Sequence, residues 1–217
     1  MTFIDRIVYK ILKAELTYSQ AGEDKILNHL FRSLGKTRIS FLDIGTNHPL
    51  MYNNTYLFYK NGGQGVCVEP NPKLASLIRK LRPRDKCLNV GVGQNDNAII
   101  DFFSLSSHTL STFSKEDAEK LDKEGRYKII EILKIPIKNI NTIIKENFNK
   151  PIDLVSIDVE GWNEEIIDSF DFTLNRPSCF CVETINFSEN KKESKLNSIF
   201  QIFETNGYSV YGETYLN

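Results

Sequence analysis

The sequence predicts an α/β fold: a mainly parallel sheet with helices on both faces, preceded by a helical lead. Three observations carry this. Residues 39–72 read as strand, loop, helix, strand, the unit from which parallel sheets are built. Apolar, strand-like runs then alternate with amphipathic stretches along most of the chain. Several of those runs end on acids, at Asp43–Gly45, Glu69, Asp158–Glu160 and Glu183. Four acidic strand ends on one sheet edge are more than packing needs.

The elements follow in order. Residues 3–16 place Phe3, Ile4, Ile7, Val8, Ile11 and Leu12 at helical spacing, an apolar stripe for the domain, a second subunit or, given Arg6, Lys10 and Lys13, a membrane surface. A second helix opens after Ser19, expected as its N-cap, with Glu23 and Asp24 in the first turn and a stop near Gly35. Strand 1 is expected at 39–45, a helix at 54–61 and strand 2 at 65–69. A helix started by Asn71–Pro72 runs to 81, and strand 3 takes 86–92. A further strand is expected at 98–105. Residues 106–135 break the repeat with a Ser/Thr/His loop, SSHTLSTFS, and a charged helix at 114–124. A short strand at 132–137 and a helix at 139–147 return to it. Strand 4 is 152–158 with a helix at 163–169, and strand 5 is 178–184. A helix at 193–206 stops at Asn206–Gly207, and a last strand takes 208–215.

The chain of 217 residues fits one domain, 1–217. Residues 1–36 form the helical lead and 39–217 the core, with 102–135 as a substrate-cap insertion. A net charge of −1 argues against bulk capture of nucleic acid. No apolar run approaches the ~20 residues that cross a bilayer, and the N-terminus lacks a signal-peptide layout. Cys67, Cys87, Cys179 and Cys181 each sit in a strand-like run and read as buried free thiols, hence a reducing, cytoplasmic setting.

A strand–loop–helix–strand unit closed by an acid binds a nucleoside at its carboxyl edge. Glu69 is placed to accept both ribose hydroxyls, which points to adenosine, carried by a dinucleotide or by S-adenosylmethionine. A dinucleotide site needs G-x-G-x-x-G after strand 1. Here Gly45–Thr46–Asn47–His48–Pro49–Leu50 lacks the second and third glycines. A sulfonium cofactor without phosphate tolerates that looser loop.

The blocks SQAGED (19–24), FLDIGTN (41–47), NNTYLFYKNGGQGVCVEPNP (53–72), NVGVG (89–93) and IDVEGWNEEII (157–167) resemble the FkbM-type S-adenosylmethionine-dependent methyltransferases, in family order. The chain departs at His48–Pro49, where the family usually has glycine, and at Ser156, where it often has lysine. The resemblance implies a Rossmann-like class I methyltransferase fold with S-adenosyl-L-methionine as cofactor. It places Asp43, Gly45 and Asn47 at the methionine part, Glu69 at the ribose, Gly91 and Gly93 beside adenine, and Gln20 or Glu23 folded over the cofactor. It puts Asp158 beside the transferred methyl. Methyl transfer to a hydroxyl needs a proton acceptor, for which Asp158, His108, Glu160 and Glu183 are the candidates. The same four side chains would be the ligands of a metal-dependent alternative, although no ligand spacing supports one. A non-catalytic nucleoside-binding domain is the other alternative. The acceptor implied is a hydroxyl of a bacterial surface glycan or its precursor, with no nucleic-acid partner and a homo-oligomer compatible with the sequence.

Overall fold

The computed structural model describes residues 16–159, 161–184 and 197–214. The helix expected over 3–16 (all but its last residue), Glu160 and Lys191–Lys192 lie outside the described residues.

The first described helix, α1, spans Glu23–Ser33 and buries Leu27 and Phe31. Its N-cap is Gly22, at φ 94, rather than Ser19. The reason is a fold-back of residues 17–22 onto the Asp24 carboxylate. That group accepts the Thr17 and Ser19 hydroxyls and the Tyr18 N–H. From there the Ser19 hydroxyl still accepts the Asp24 N–H at 3.2 Å, so it caps the first turn from further upstream.

The core units follow as β1 (Ser40–Ile44), α2 (Tyr56–Lys60), β2 (Gln64–Val68), α3 (Pro72–Leu81) and β3 (Lys86–Leu88). Asn71 caps α3 by accepting the Lys73 and Leu74 N–H groups, with Pro72 at the first helical position. The run expected as one strand over 86–92 divides. After β3, the Asn89 amide donates to the Glu69 and Pro70 carbonyls and turns the chain out of the sheet. Gly91–Val92 become β4 of a second sheet. Next come β5 (Ile99–Leu105), α4 (Lys115–Lys123) and β6 (Ile129–Lys138), a strand longer than the 132–137 expected. Then follow α5 (Ile140–Asn147), β7 (Leu154–Ile157), α6 (Asn163–Asp168), β8 (Cys179–Val182) and α7 (Asn197–Thr205). The strand expected at 208–215 is not formed over 208–214. Tyr208 instead packs its ring against Phe172, Phe180 and Phe203, and its hydroxyl donates to the Pro177 carbonyl. The half-buried Tyr208 ring, and not strand pairing, thus holds the start of this segment.

The main sheet has the order β3-β2-β1-β7-β8, and every pair is parallel. Period-two alternation sends its side chains to opposite faces. Leu42, Ile44, Val66, Val68, Val155, Ile157 and Val182 face a core shared with α5, α6 and α7. Phe41, Leu154 and Cys181 face α1 and α2. The chain runs outward from β1 through β2 to β3, then returns to add β7 on the other side of β1. The switch point therefore lies between the carboxyl ends of β1 and β7, where ligands of open α/β sheets bind. Beside it, β4-β6-β5 form a second sheet in which β5 and β6 pair antiparallel. This ribbon and the residues between its strands contain the segment 102–135.

Candidate active site

The backbone of β1 leaves the sheet at Gly45, directly against that of β7. Gly45 has φ 78, and a Cβ on it would stand 1.9 Å from the Asp158 carbonyl oxygen. Only glycine supplies both the conformation and the clearance. The Gly45 N–H donates to the Val68 carbonyl and the Asp158 N–H to the Ile44 carbonyl, so three strand exits are locked together.

Beneath this turn lies a buried polar network that the sequence reading missed. Arg82, fully buried, donates to Asp85 at 2.8 Å, to the Asn53 side-chain oxygen at 3.1 Å and to the Thr55 hydroxyl at 2.9 Å. Its guanidinium lies 3.7 Å from the Asp43 carboxylate. Asp43 also accepts the Thr55 hydroxyl at 2.7 Å and the Asn53 amide at 3.3 Å. Asn53 returns a bond to the Thr46 carbonyl, tying the far end of the loop to its start. Burial raises the Asp43 pKa, against the opposing pull of Arg82 and these donors. The Asp43 side chain thus anchors the loop from below. The signal available in the sequence was Asn53–Asn54–Thr55, a polar run where an amphipathic α/β helix begins. His48 closes the loop by accepting the Leu50 and Met51 N–H groups at its Nδ1. Ser156 accepts the Asn54 amide.

Glu69 is buried at the tip of β2. One carboxylate oxygen accepts the Asn47 N–H at 2.7 Å and the other the Asn71 N–H at 2.8 Å. Asn47 takes a left-handed φ of 52, which turns its N–H onto Glu69. Burial pushes the Glu69 pKa up to about 7, although both backbone donors favour the charged form. Each oxygen retains acceptor capacity, since an ionised carboxylate has about four lone-pair sites.

Asp158, Glu183, Glu23 and Asp43 converge at the carboxyl ends of β1, β7 and β8. Asp158 is hydrogen-bonded to Glu183, and burial together with the charges of Asp43 and Glu23 raises its pKa to about 6. Its side chain is nevertheless exposed by surface area. Solvent thus reaches Asp158, while the surrounding protein and its acidic neighbours resist its ionisation. Asn163 holds the two strand exits together, accepting the Val159 N–H and donating to the Glu183 carbonyl. Glu23 accepts the Ala21 N–H and the Thr214 hydroxyl. Burial works against its charge, but these bonds outweigh it and its pKa is lowered. Gln20 is exposed beside this knot.

The structure does not bring His108 to this group. It sits exposed on a 3-10 turn, His108–Leu110, beyond the end of β5. The four cysteines are free, Cys67 and Cys181 buried and the other two half-buried. Burial pushes Cys87 up to about 11 and Cys179 to about 12, so these thiols are neither nucleophiles nor ready ligands. Among the described residues no group of three or more His, Cys, Asp or Glu is arranged to hold a metal, and no helix is long and apolar enough to cross a membrane.

Gly91 and Gly93 line the remaining side. With Ile44, Gly45, Val68, Pro70, Val90, Phe113, Val159 and Trp162 nearby, Gly91 belongs to a narrow apolar crevice along the β1 and β2 exits. Phe113 and Trp162 escaped the sequence reading. The one tryptophan of the chain, next to Asp158–Val159–Glu160–Gly161, was the available clue.

The donor set fits an adenosyl cofactor: a turn with no side chain at Gly45, a buried carboxylate at the tip of β2 and an apolar slot beside both. A family model described as the methyltransferase FkbM domain matches residues 43–210. No curated protein matches the chain significantly. Among solved structures, a TehB-like SAM-dependent methyltransferase from Corynebacterium glutamicum aligns with a TM-score of 0.43 at 10% identity, covering 94% of this chain and 80% of that one. The O-methyltransferase from Bacillus cereus in complex with SAH gives 0.42 at 16% identity, covering 94% and 84%.

Proposed function

This chain belongs to the FkbM methyltransferase family, and from that premise we propose that it methylates a hydroxyl of a bacterial surface glycan or its precursor. As a family member it is an enzyme that uses S-adenosylmethionine. When bound, the cofactor supplies an electrophilic methyl group whose bond to sulfur breaks as the new bond to oxygen forms. The chain's own residues must hold the acceptor in line and take its proton.

The observation that carries the reading is the Asp158–Glu183 pair. A hydrogen-bonded carboxyl pair whose Asp158 titrates at about 6 is ionised enough at neutral pH to accept a proton, and basic enough to hold it. An alcohol needs such a destination for its proton, whereas a thiolate or a neutral amine does not. We assign Asp158 as the group facing the acceptor and Glu183 as its partner. Glu69 takes the ribose hydroxyls, and the Gly45–Asn47 turn takes the methionine part. Asp43 acts through the loop it anchors, Glu23 closes the site from the α1 side, and Gly91 and Gly93 leave room for the base. His108, on its exposed turn, is the competing base. The residues between β5 and β6 form the acceptor wall, and the free, high-pKa thiols support a reducing, cytoplasmic setting.

The test is methyl transfer from labelled S-adenosylmethionine to a panel of sugars, glycans, amines and thiols. The reading expects label in an alkali-stable ether. Transfer only to nitrogen or sulfur overturns the hydroxyl assignment.

A further inference from the structure

We propose that Phe113 and Trp162 form an aromatic clamp, closed in this structure, that opens to take the purine base of the cofactor between its two rings. The proposal rests on the cofactor reading above.

The two rings are stacked, with centroids 5.0 Å apart and planes 23° from parallel. They come from opposite sides of the site. Phe113 belongs to the segment between β5 and α4, and Trp162 to the turn that follows Asp158 and precedes α6. Each rests on a glycine of the NVGVG segment. A Cβ on Gly91 would stand 2.5 Å from the Phe113 ring, and one on Gly93 would stand 3.3 Å from the Trp162 ring. The two glycines thus leave space that the rings occupy.

The crevice that both rings line also contains Gly45, Val68 and Pro70, the exits flanking Glu69. A nucleoside with its ribose on Glu69 and its thioether end at Gly45 must send its base along this crevice. Its free volume is about 10 Å³, room for a single water. No purine enters until a ring moves. A planar base held between two rings needs roughly 7 Å between the outer planes, twice an optimal carbon–carbon separation of ~3.5 Å. The rings, now stacked in contact, must therefore part by roughly the thickness of one base, ~3.5 Å.

The attachments permit this. Phe113 follows a single isolated bridge, Phe103 to Thr112, and not a continuous ladder. Its ring leans on Phe102 at 4.9 Å and 56°, a contact that tolerates sliding. Trp162 is only partly buried. Apolar walls and two π-faces suit an uncharged, planar heteroaromatic ring. The clamp links cofactor occupancy to the β5–β6 segment that we assign to the acceptor.

Trp162 is the only tryptophan, so its intrinsic fluorescence reports on the clamp directly. The full chain is titrated with S-adenosylhomocysteine, with adenosine and with methionine, with calorimetry in parallel. A saturable fluorescence change with the first two and none with methionine is expected. Stopped-flow traces with S-adenosylhomocysteine should reach a rate ceiling at high ligand, set by ring opening. Phe113→Leu keeps the apolar volume but removes the stack, and should weaken nucleoside affinity roughly tenfold or more while raising that ceiling. Phe113→Ala should do the same, and the leucine variant guards against a folding defect. Calorimetric binding with unchanged Trp162 fluorescence, or parental affinity in Phe113→Leu, reduces the pair to packing and overturns the clamp. No calorimetric binding of S-adenosylhomocysteine overturns the cofactor reading beneath it.

Discussion

Glu69 and Asp158 are both carboxyls raised by burial, and their different partners underlie the different roles proposed for them. Glu69 faces backbone donors, which leaves it to accept further hydroxyls. Losing hydrogen bonds to a charged acceptor costs about 1.5–3 kcal/mol, so Glu69→Ala should weaken S-adenosylhomocysteine binding by roughly 10–150-fold. Its pKa of about 7 adds a sign. The protonated form accepts poorly, so affinity should rise as pH passes through about 7 and level off once Glu69 is fully ionised. Glu69→Gln should flatten that dependence, as calorimetry at several pH values would show. Asp158 faces another carboxyl and titrates with it at about 6. In the role proposed for it the ionised form takes the proton, so activity should climb as pH rises through about 6. Asp158→Asn should lose that limb and ~10²-fold or more of turnover, with cofactor affinity nearly kept. His108→Ala, which alters an exposed turn, should keep turnover close to the parent. The reverse pattern in the two variants moves the base to His108.

At the level of elements, the site depends on how strand exits meet. The β1 and β7 backbones approach so closely that one methyl group separates assembly from collision. Gly45→Ala should abolish S-adenosylhomocysteine binding and lower the thermal midpoint, since both φ 78 and a 1.9 Å contact oppose it. Arg82, at the end of α3, acts one layer down by neutralising Asp43 and Asp85. Arg82→Met would leave two buried carboxyls without their cation. Removing one partner of a buried ion pair costs roughly 3–5 kcal/mol, measurable by urea unfolding. The penalty should shrink as pH falls, because protonated acids no longer need the guanidinium.

For the whole molecule, the topology sets what chemistry can assemble. Placing β7 beside β1 brings Asp158 to the turn that follows Asp43. Placing β8 next to β7 adds Glu183. The β5–β6 ribbon stands aside as a second sheet and returns Phe113 to the crevice. Among the described residues this assembly gathers carboxylates in a hydrogen-bonded pair, with no group of three or more His, Cys, Asp or Glu arranged to hold a metal. Turnover should therefore survive dialysis against EDTA. Complete loss, restored by magnesium or manganese, would make a metal the acceptor's activator.

Periodicity and punctuation by themselves determined the α/β class, most of the strands and helices between Glu23 and Thr205 to within a few residues, and the acidic carboxyl edge. Each of these is a local property: alternating burial, the cap at Asn71–Pro72, the glycine at a strand end. The ordered blocks SQAGED to IDVEGWNEEII likewise pointed to the family. Only the tertiary structure decided that Gly22 and not Ser19 caps α1, that 86–92 divides between two sheets, and that 208–214 forms no strand and is held at its start by the Tyr208 ring. It alone showed Arg82 beneath the loop, the Asp158–Glu183 bond and the Phe113–Trp162 stack. These involve residues far apart in the chain. Their energies come from contacts and desolvation that exist only once the sheet has closed, and no local pattern encodes them.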